Sequence, residues 1–142
     1  MVASGFCTAW MNTILGLLFG AVGSPYTAPA TLYFGLATAV AADGTVTGEP
    51  TGNNYARKSI TNDTSLWNTA ANGALDNKIA ITFPQASGLW GTLDTVFIAN
   101  HGSNDGAAII AYGTLSVEKT ITTNDTPSFA AGDLNISLTA TT

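Results

Sequence analysis

The side chains that could carry chemistry are few, because the chain has one histidine, His101, and one cysteine, Cys7. A nucleophile activated by His101 would need a nearby serine and an acid such as Asp94 or Asp105 to orient the imidazole ring. No spacing in the sequence brings such a set together, and neither Ser87 nor Cys7 stands in any sequence relation to the histidine. We therefore predict that the protein is not an enzyme and has no catalytic residues.

A metal site would draw on the segment 101–106, where His101, Asn104 and Asp105 could join backbone carbonyls around a cation. The run His-Gly-Ser-Asn-Asp-Gly is also typical of a plain polar turn, which is the role that we predict for it. No segment has the spacing of a phosphate-binding loop or of a transition-metal site. The prediction is therefore no metal, no cofactor and no cofactor-binding residue.

Polar triplets recur along the chain. The two Asn-Asp-Thr triplets at 62–64 and 124–126, and Asn-Ile-Ser at 135–137, fit the acceptor pattern for N-glycosylation. We interpret the two Asn-Asp-Thr triplets as turn-forming segments. Asp94 falls within a predicted strand, where its carboxylate would point outward or accept a hydrogen bond from a loop. The functional alternative for Asp94 is a polar contact between subunits.

Charged residues make up only 9% of the chain, against about 25% in an average soluble domain. Four basic residues and a net charge of −5 argue against binding to the backbone of a nucleic acid. The polar surface must come from the 22 threonines, 11 asparagines and 15 glycines, which favour strands and turns. Cys7 lies in an apolar run, so we expect a buried, unreactive thiol.

The N-terminal segment 5–23 is uncharged and strongly apolar, with large side chains at helical spacing and Ser4 as a reasonable N-cap. A secretory signal would carry basic residues near its start, yet the first positive side chain is Arg57. The segment is barely long enough for a membrane span, which we consider the less favoured interpretation. We predict a helical assembly segment, residues 1–28, whose helix contacts another subunit through Phe6, Trp10, Ile14, Leu17, Leu18 and Phe19.

Residues 29–142 are predicted to form a β-domain. Apolar and polar residues alternate over 79–83. The next strand runs from about Gly91 to Ala99, and from Val96 to Ala99 its apolar residues fall on both faces. Further strands are predicted at 31–39, 55–61, 107–115, 117–122 and 134–139. Short strands at regular spacing indicate a mainly β chain, a two-sheet β-sandwich or jelly roll with one N-terminal apolar helix. The predicted core comprises Leu32, Phe34, Ile79, Ile81, Phe83, Trp90, Phe97, Leu134, Ile136 and Leu138.

Five short motifs occur in order across 29–139, most of the chain: Pro29-Ala30-Thr31-Leu32-Tyr33, Asn54-Tyr55-Ala56-Arg57, Ile81-Thr82-Phe83-Pro84, Trp90-Gly91-Thr92 and Ala131-Gly132-Asp133-Leu134. With this ordered set the chain resembles a family of short structural proteins of tailed bacteriophages, often labelled tail fibre, minor structural or capsid decoration proteins. The resemblance implies a β-rich component of the virion, present in many copies and assembled in the cytoplasm of the bacterial host. The apolar segment 5–23 and the turn at 101–106 depart from the family's usual pattern.

Three functions follow. The first is a capsid decoration or cement protein that bridges shell subunits, and its partner would be the major capsid protein. The second is a tail or tail-fibre component that contacts neighbouring tail proteins and the host surface. The third is a carbohydrate-binding β-sandwich module, which is weakest because Trp67, Trp90 and Tyr112 are more simply placed in the core. We favour decoration, because 142 residues leave no room for a shaft.

Self-association is expected in any of these roles. Exposed sheet edges are usually protected by lysine, proline or bulges, and this chain has three lysines in all. Neighbouring copies should therefore cover its edges, and we predict an obligate homo-oligomer, most simply a trimer.

Overall fold

The computed structural model describes residues 5–19, 27–103 and 109–138. Within these ranges the chain is mainly β, with one helix near its N-terminus. The helix α1 spans Thr8–Leu18. The longer strands are β2 (Thr31–Ala37), β5 (Lys58–Thr61), β8 (Gly91–Ala99) and β9 (Ile109–Ile121). The short strands are β1 (Gly5–Phe6), β3 (Ala39–Val40), β4 (Val46–Thr47), β6 (Ala74–Asp76), β7 (Ile81–Thr82), β10 (Ser128–Phe129) and β11 (Asn135–Ser137).

One antiparallel sheet of five strands, in the order β1-β9-β8-β2-β5, organises the molecule. Its central strand β8 coincides with the predicted strand from Gly91 to Ala99. The two strands that we predicted at 107–115 and 117–122 are instead the single strand β9. A register shift explains the apparent break: Leu93 lies opposite Lys119, whereas Thr95 lies opposite Thr114. Residues 115–118 of β9 thus lie opposite Asp94 alone, and this irregularity interrupts the regular pairing within one continuous strand.

Both faces of the sheet are covered, as the apolar pattern of β8 predicts. Val96 and Ile98 belong to the main hydrophobic cluster on one face, and Phe97 and Ala99 to a smaller cluster on the other. The small cluster is possible because Gly35 lies directly opposite Phe97. A Cβ atom on residue 35 would overlap the Phe97 ring, so the close approach requires glycine.

Two short ribbons face the main cluster: β7 pairs with β10, and β6 pairs with β11. A third ribbon, of β3 and β4, lies on the other face, where Val40 belongs to the smaller cluster and Val46 packs against it. The prediction of a mainly β chain with one helix is therefore confirmed. A two-sheet sandwich or jelly roll is not established, because the described residues form one five-stranded sheet and three two-stranded ribbons.

Asn77 joins the ribbons to each other. Its side chain is fully buried, donates from Nδ2 to the carbonyls of Ile79 and Ala130 at 2.8 Å each, and accepts at Oδ1 from the Leu134 amide at 2.9 Å. A buried polar group is tolerated when its hydrogen bonds are satisfied, as they are here. Asn77 thereby fixes the segment around 130–134 against the start of β7.

The predicted core residues divide into three groups. Buried are Leu32, Phe34, Ile81, Phe83, Trp90 and Phe97. Leu134 and Ile136 are half-buried and pack against the main cluster. The placement of Ile79 and Leu138 in the core is wrong, since their exposed fractions are 41% and 65%. Both residues lie beyond the ends of short paired strands, where the in-out alternation no longer holds: Ile79 precedes β7, and Leu138 follows β11.

The helix is shorter than the predicted 5–23. Gly5 and Phe6 form β1, which pairs with Tyr112 and Ala111 of β9, and α1 begins at Thr8. The edge of β9 offers backbone hydrogen bonds to Gly5 and Phe6. Because this tertiary pairing outweighs the local preference for a helix, the two residues form a strand. Ser4, the proposed N-cap, lies outside the described residues, as does the stretch 20–26. Among the described helices, none is long and apolar enough to cross a membrane. A boundary between 1–28 and 29–142 stays a prediction.

Candidate subunit interface

The start of α1 is anchored to the sheet. The Cys7 amide donates to the Ile110 carbonyl at 3.0 Å, and the Thr8 amide donates to the Ala42 carbonyl at 2.9 Å. The Cys7 side chain is 1% exposed and belongs to the smaller hydrophobic cluster. Burial raises the pKa of its thiol, with a smaller contribution from the negative charge of Asp43. The helix therefore leaves the sheet from a fixed point.

One side of α1 borders an apolar groove of about 260 Å³, here called the α1 groove. The helical wall is Trp10 and Ile14, continued by Phe6 of β1. The opposite wall comes from the large sheet and the β6/β11 ribbon and includes Leu32, Trp67, Leu75, Ile98, Ile110 and Ile136. The groove thus lies between the helix and the layer of ribbons, at the edge of the main cluster.

The other side of α1 faces outward and is also apolar. Met11, Leu15 and Phe19 have exposed fractions of 43%, 54% and 79%, and we call them the α1 stripe. Residues four apart lie on the same helical face, so the three side chains form one row. Phe19 is the C-cap of the helix. An exposed row of large apolar side chains is typical of an interaction surface.

The predicted interface residues therefore divide between the two sides. Phe6, Trp10 and Ile14 line the α1 groove within one chain, whereas Phe19 lies on the outer stripe. Leu17 and Leu18 belong to α1, and their side chains lie outside the described part of the structure. The predicted set omitted Met11 and Leu15, although the spacing of these two residues and Phe19 in the sequence is the signal that identifies the outer row.

A second concavity, of about 770 Å³, lies between β9 and the segment 133–137. Its lining mixes apolar residues such as Leu115 and Ile136 with polar ones such as Ser116 and Asp133. This lining lacks the uniform apolar character of the α1 groove. We therefore place the candidate interface at α1.

The residues considered for chemistry form local turn contacts. Ser103 Oγ lies 2.8 Å from Nδ1 of His101, two residues away on an exposed turn. Thr95 Oγ1 donates to Asp94 Oδ1 at 2.7 Å. Asn104 and Asp105 lie outside the described residues. Across the described ranges, no three histidine, cysteine, aspartate or glutamate side chains are grouped as a metal site would need.

Both Asn-Asp-Thr triplets contain an aspartate that accepts hydrogen bonds within a turn. Asp63 accepts from the amide and hydroxyl of Ser65, and Asp125 accepts from the amide and hydroxyl of Thr122. Hydrogen bonds to the ionised form lower the pKa of each carboxyl group, those from Ser65 and Thr122 having the largest effect. The triplets therefore stabilise turns, as their composition indicates.

A buried polar cluster on the side of the sheet that carries Phe97 was missed from the sequence. Arg57 and Glu49 form an ion pair, and the hydroxyl of Tyr55 donates to Glu49 Oε1 at 3.0 Å. Arg57 also donates from Nη1 to the His101 carbonyl at 2.9 Å, and its guanidinium lies 4.8 Å from the centre of the Phe97 ring. In the sequence, Glu49 stands among turn residues, and the one signal was that Arg57 is the chain's single arginine.

Comparison with known proteins gives one family. The family model described as "Podophage GP4 fiber I protein gp80" matches residues 5–137. The match includes β1, α1, the complete five-stranded sheet and the ribbons that cover it. No curated protein matches the chain.

Proposed function

Because the chain belongs to the podophage GP4 fibre I protein family, we propose that it is a structural component of a fibre on the phage particle. The family match over residues 5–137 is the observation that carries this proposal. It also confirms the resemblance to tailed-phage structural proteins that the ordered motifs indicated. As a phage virion protein, the chain works in contact with other virion proteins, and we propose that it assembles in the cytoplasm of the bacterial host.

The family description agrees with the second of the functions considered from the sequence. Capsid decoration, which we favoured there, has no support from the matched family. The carbohydrate-binding module gains no support either, because Trp90 is buried and its Nε1 donates to the Asn53 carbonyl at 2.8 Å. A fibre component is therefore the assignment that the observations support best.

The proposed role is architectural, with no catalysis and no cofactor. It is supported by the low charge of the chain and by the dense hydrogen bonding that holds its loops in place. We also propose that the β6/β11 and β7/β10 ribbons act as the second layer of a sandwich over the large sheet. Self-association as a homo-oligomer, with a trimer as the expected stoichiometry, completes the proposal.

Immunogold electron microscopy of purified virions tests the fibre assignment. Antibody against the isolated protein should label fibres and leave the head surface unlabelled. A control antibody against the major capsid protein should label the head. Uniform labelling of the head by the first antibody would instead favour the decoration role and overturn the fibre assignment.

A further inference from the structure

We propose that a second copy of this chain covers the α1 groove, with the α1 stripe of one copy entering the groove of the next. The inference deepens the proposed fibre role and rests on it, because it names the partner of one surface. The stripe consists of Met11, Leu15 and Phe19, and the groove lies on the adjacent side of the same helix.

The chemistry of the groove selects an apolar occupant. Among the described residues that line it, Thr13 and Asn62 are the two polar ones. The Thr13 hydroxyl donates to the Ala9 carbonyl at 3.0 Å. Asn62 donates from Nδ2 to the Pro29 carbonyl at 2.8 Å and accepts at Oδ1 from Trp67 Nε1 at 3.1 Å. Both polar side chains are thus already hydrogen-bonded within the chain, and the groove selects large apolar side chains such as those of the stripe.

The absence of charge disfavours a partner that is recognised by its charge and suits a second copy of the same uncharged surface. The first charged residue of the chain is Asp43, so α1 has no charge, and none of the described residues that line the α1 groove is charged. A partner that is recognised by complementary charge would therefore find no counterpart on this surface. A copy of the same uncharged surface brings no like charge into contact. Identical chains can therefore meet here without burying an unpaired charge.

The stripe and the groove are different surfaces on one helix, so every copy supplies both halves of the contact. Such a head-to-tail contact closes into a ring when the rotation between copies permits. A ring of three copies has the stoichiometry of the expected trimer. The ring would place α1 of one copy against the residues of the large sheet that line the α1 groove of the next.

Disulfide trapping between separately labelled copies tests the contact. One copy carries Leu15→Cys in the stripe, the other carries Leu75→Cys in the groove, and the two are co-expressed with different tags. Because each copy has one new thiol, a 15–75 disulfide can form only between copies. We expect its yield to exceed, at least tenfold, that of a control pair with Val117→Cys, which is 63% exposed and lies outside the groove. An equal yield would overturn the proposal.

The oligomeric mass provides a second readout. By light scattering at micromolar concentration, the unmodified protein should have about three times the chain mass of 14.5 kDa. Met11→Ser combined with Leu15→Ser should leave the circular dichroism spectrum unchanged and reduce the mass to that of one chain. The matched control, Leu89→Ser with Val117→Ser, alters two side chains of similar exposure and should keep the larger mass. A doubly substituted stripe that keeps the larger mass would contradict the proposal.

Failure of this inference and failure of the fibre role can be distinguished. If the protein is monomeric and the antibody still labels fibres, the contact at the α1 groove is wrong and the fibre role stands. If the 15–75 disulfide forms and the antibody labels the head, the contact stands and the fibre role is wrong.

Discussion

Arg57 and Glu49 form a buried, two-point ion pair, in which Nε lies 2.8 Å from Oε1 and Nη2 lies 2.8 Å from Oε2. The side chains are only 2% and 10% exposed. Removing one partner of such a pair leaves an uncompensated buried charge, which is far more costly than removing both. The pair joins the loop that contains Glu49 to the start of β5 and to the turn at His101.

Arg57→Met should therefore lower the free energy of unfolding by about 3–5 kcal/mol. The double variant Glu49→Leu with Arg57→Met should be less destabilised than Arg57→Met alone, because neither charge is then left buried. Urea denaturation measures both changes. Lys119→Met, an exposed control, should alter stability by less than about 0.5 kcal/mol. A double variant that is less stable than Arg57→Met alone would show that the unpaired charge of Glu49 is not the main cost of the single change.

Asn77→Ala should lower the free energy of unfolding by about 3 kcal/mol, since three side-chain hydrogen bonds of about 1 kcal/mol each are lost. The amide exchange of Leu134 should also accelerate, because its hydrogen bond to Asn77 Oδ1 is removed. Asn135→Ala changes an exposed asparagine of the neighbouring strand and serves as the control. Equal stability losses in the two variants would contradict the structural role of Asn77.

Gly35→Ala should destabilise the protein by about 1–3 kcal/mol, because the new methyl group overlaps the Phe97 ring. Replacing Phe97 with leucine in the same chain should recover part of that loss. A double-mutant cycle on thermal or urea unfolding measures the coupling between the two positions. Strictly additive effects would mean that residue 35 and the ring do not contact each other.

The phenol of Tyr55 should resist ionisation in the folded protein. Burial raises its pKa well above the ordinary value of about 10, and the carboxylate of Glu49 adds to the effect. Because the folded-state pKa is raised, the contribution of Tyr55 to stability is complete below about pH 10 and is lost as the pH rises further. The difference in tyrosinate absorbance between the protein and Tyr55→Phe should be absent near pH 10 in buffer and present in urea. If the absorbance difference near pH 10 were as large in buffer as in urea, Tyr55 would ionise normally in the folded protein, contrary to this expectation.

Strand β8 and the helix illustrate what the sequence can predict. Apolar residues on both faces from Val96 to Ala99 identified the central strand, because a strand covered on two sides needs them. The apolar spacing of α1 identified a helix, but its first residue was wrong because the pairing of Phe6 with Ala111 is a long-range contact. Single-sequence periodicity reports local geometry and carries no information on which distant edge is available.

The remaining features depend on contacts that no spacing reveals. The sequence prediction placed a break between two strands at Ser116, whereas this residue lies at a register shift within β9. In the Arg57–Glu49 pair, Glu49 comes from a loop rich in turn residues, where periodicity does not indicate burial. For the candidate interface, the sequence predicted an apolar helix with an uncovered side. Which side chains face the α1 groove and which face outward required the position of the sheet.

Reconstruction of the intact virion by electron cryomicroscopy locates this protein in the particle. We expect the five-stranded sheet and α1 to fit density in a fibre, with Met11 and Leu15 of one copy beside the α1 groove of the next. Density for this fold that is spread over the head lattice and absent from the fibres would show that the protein is not a fibre component.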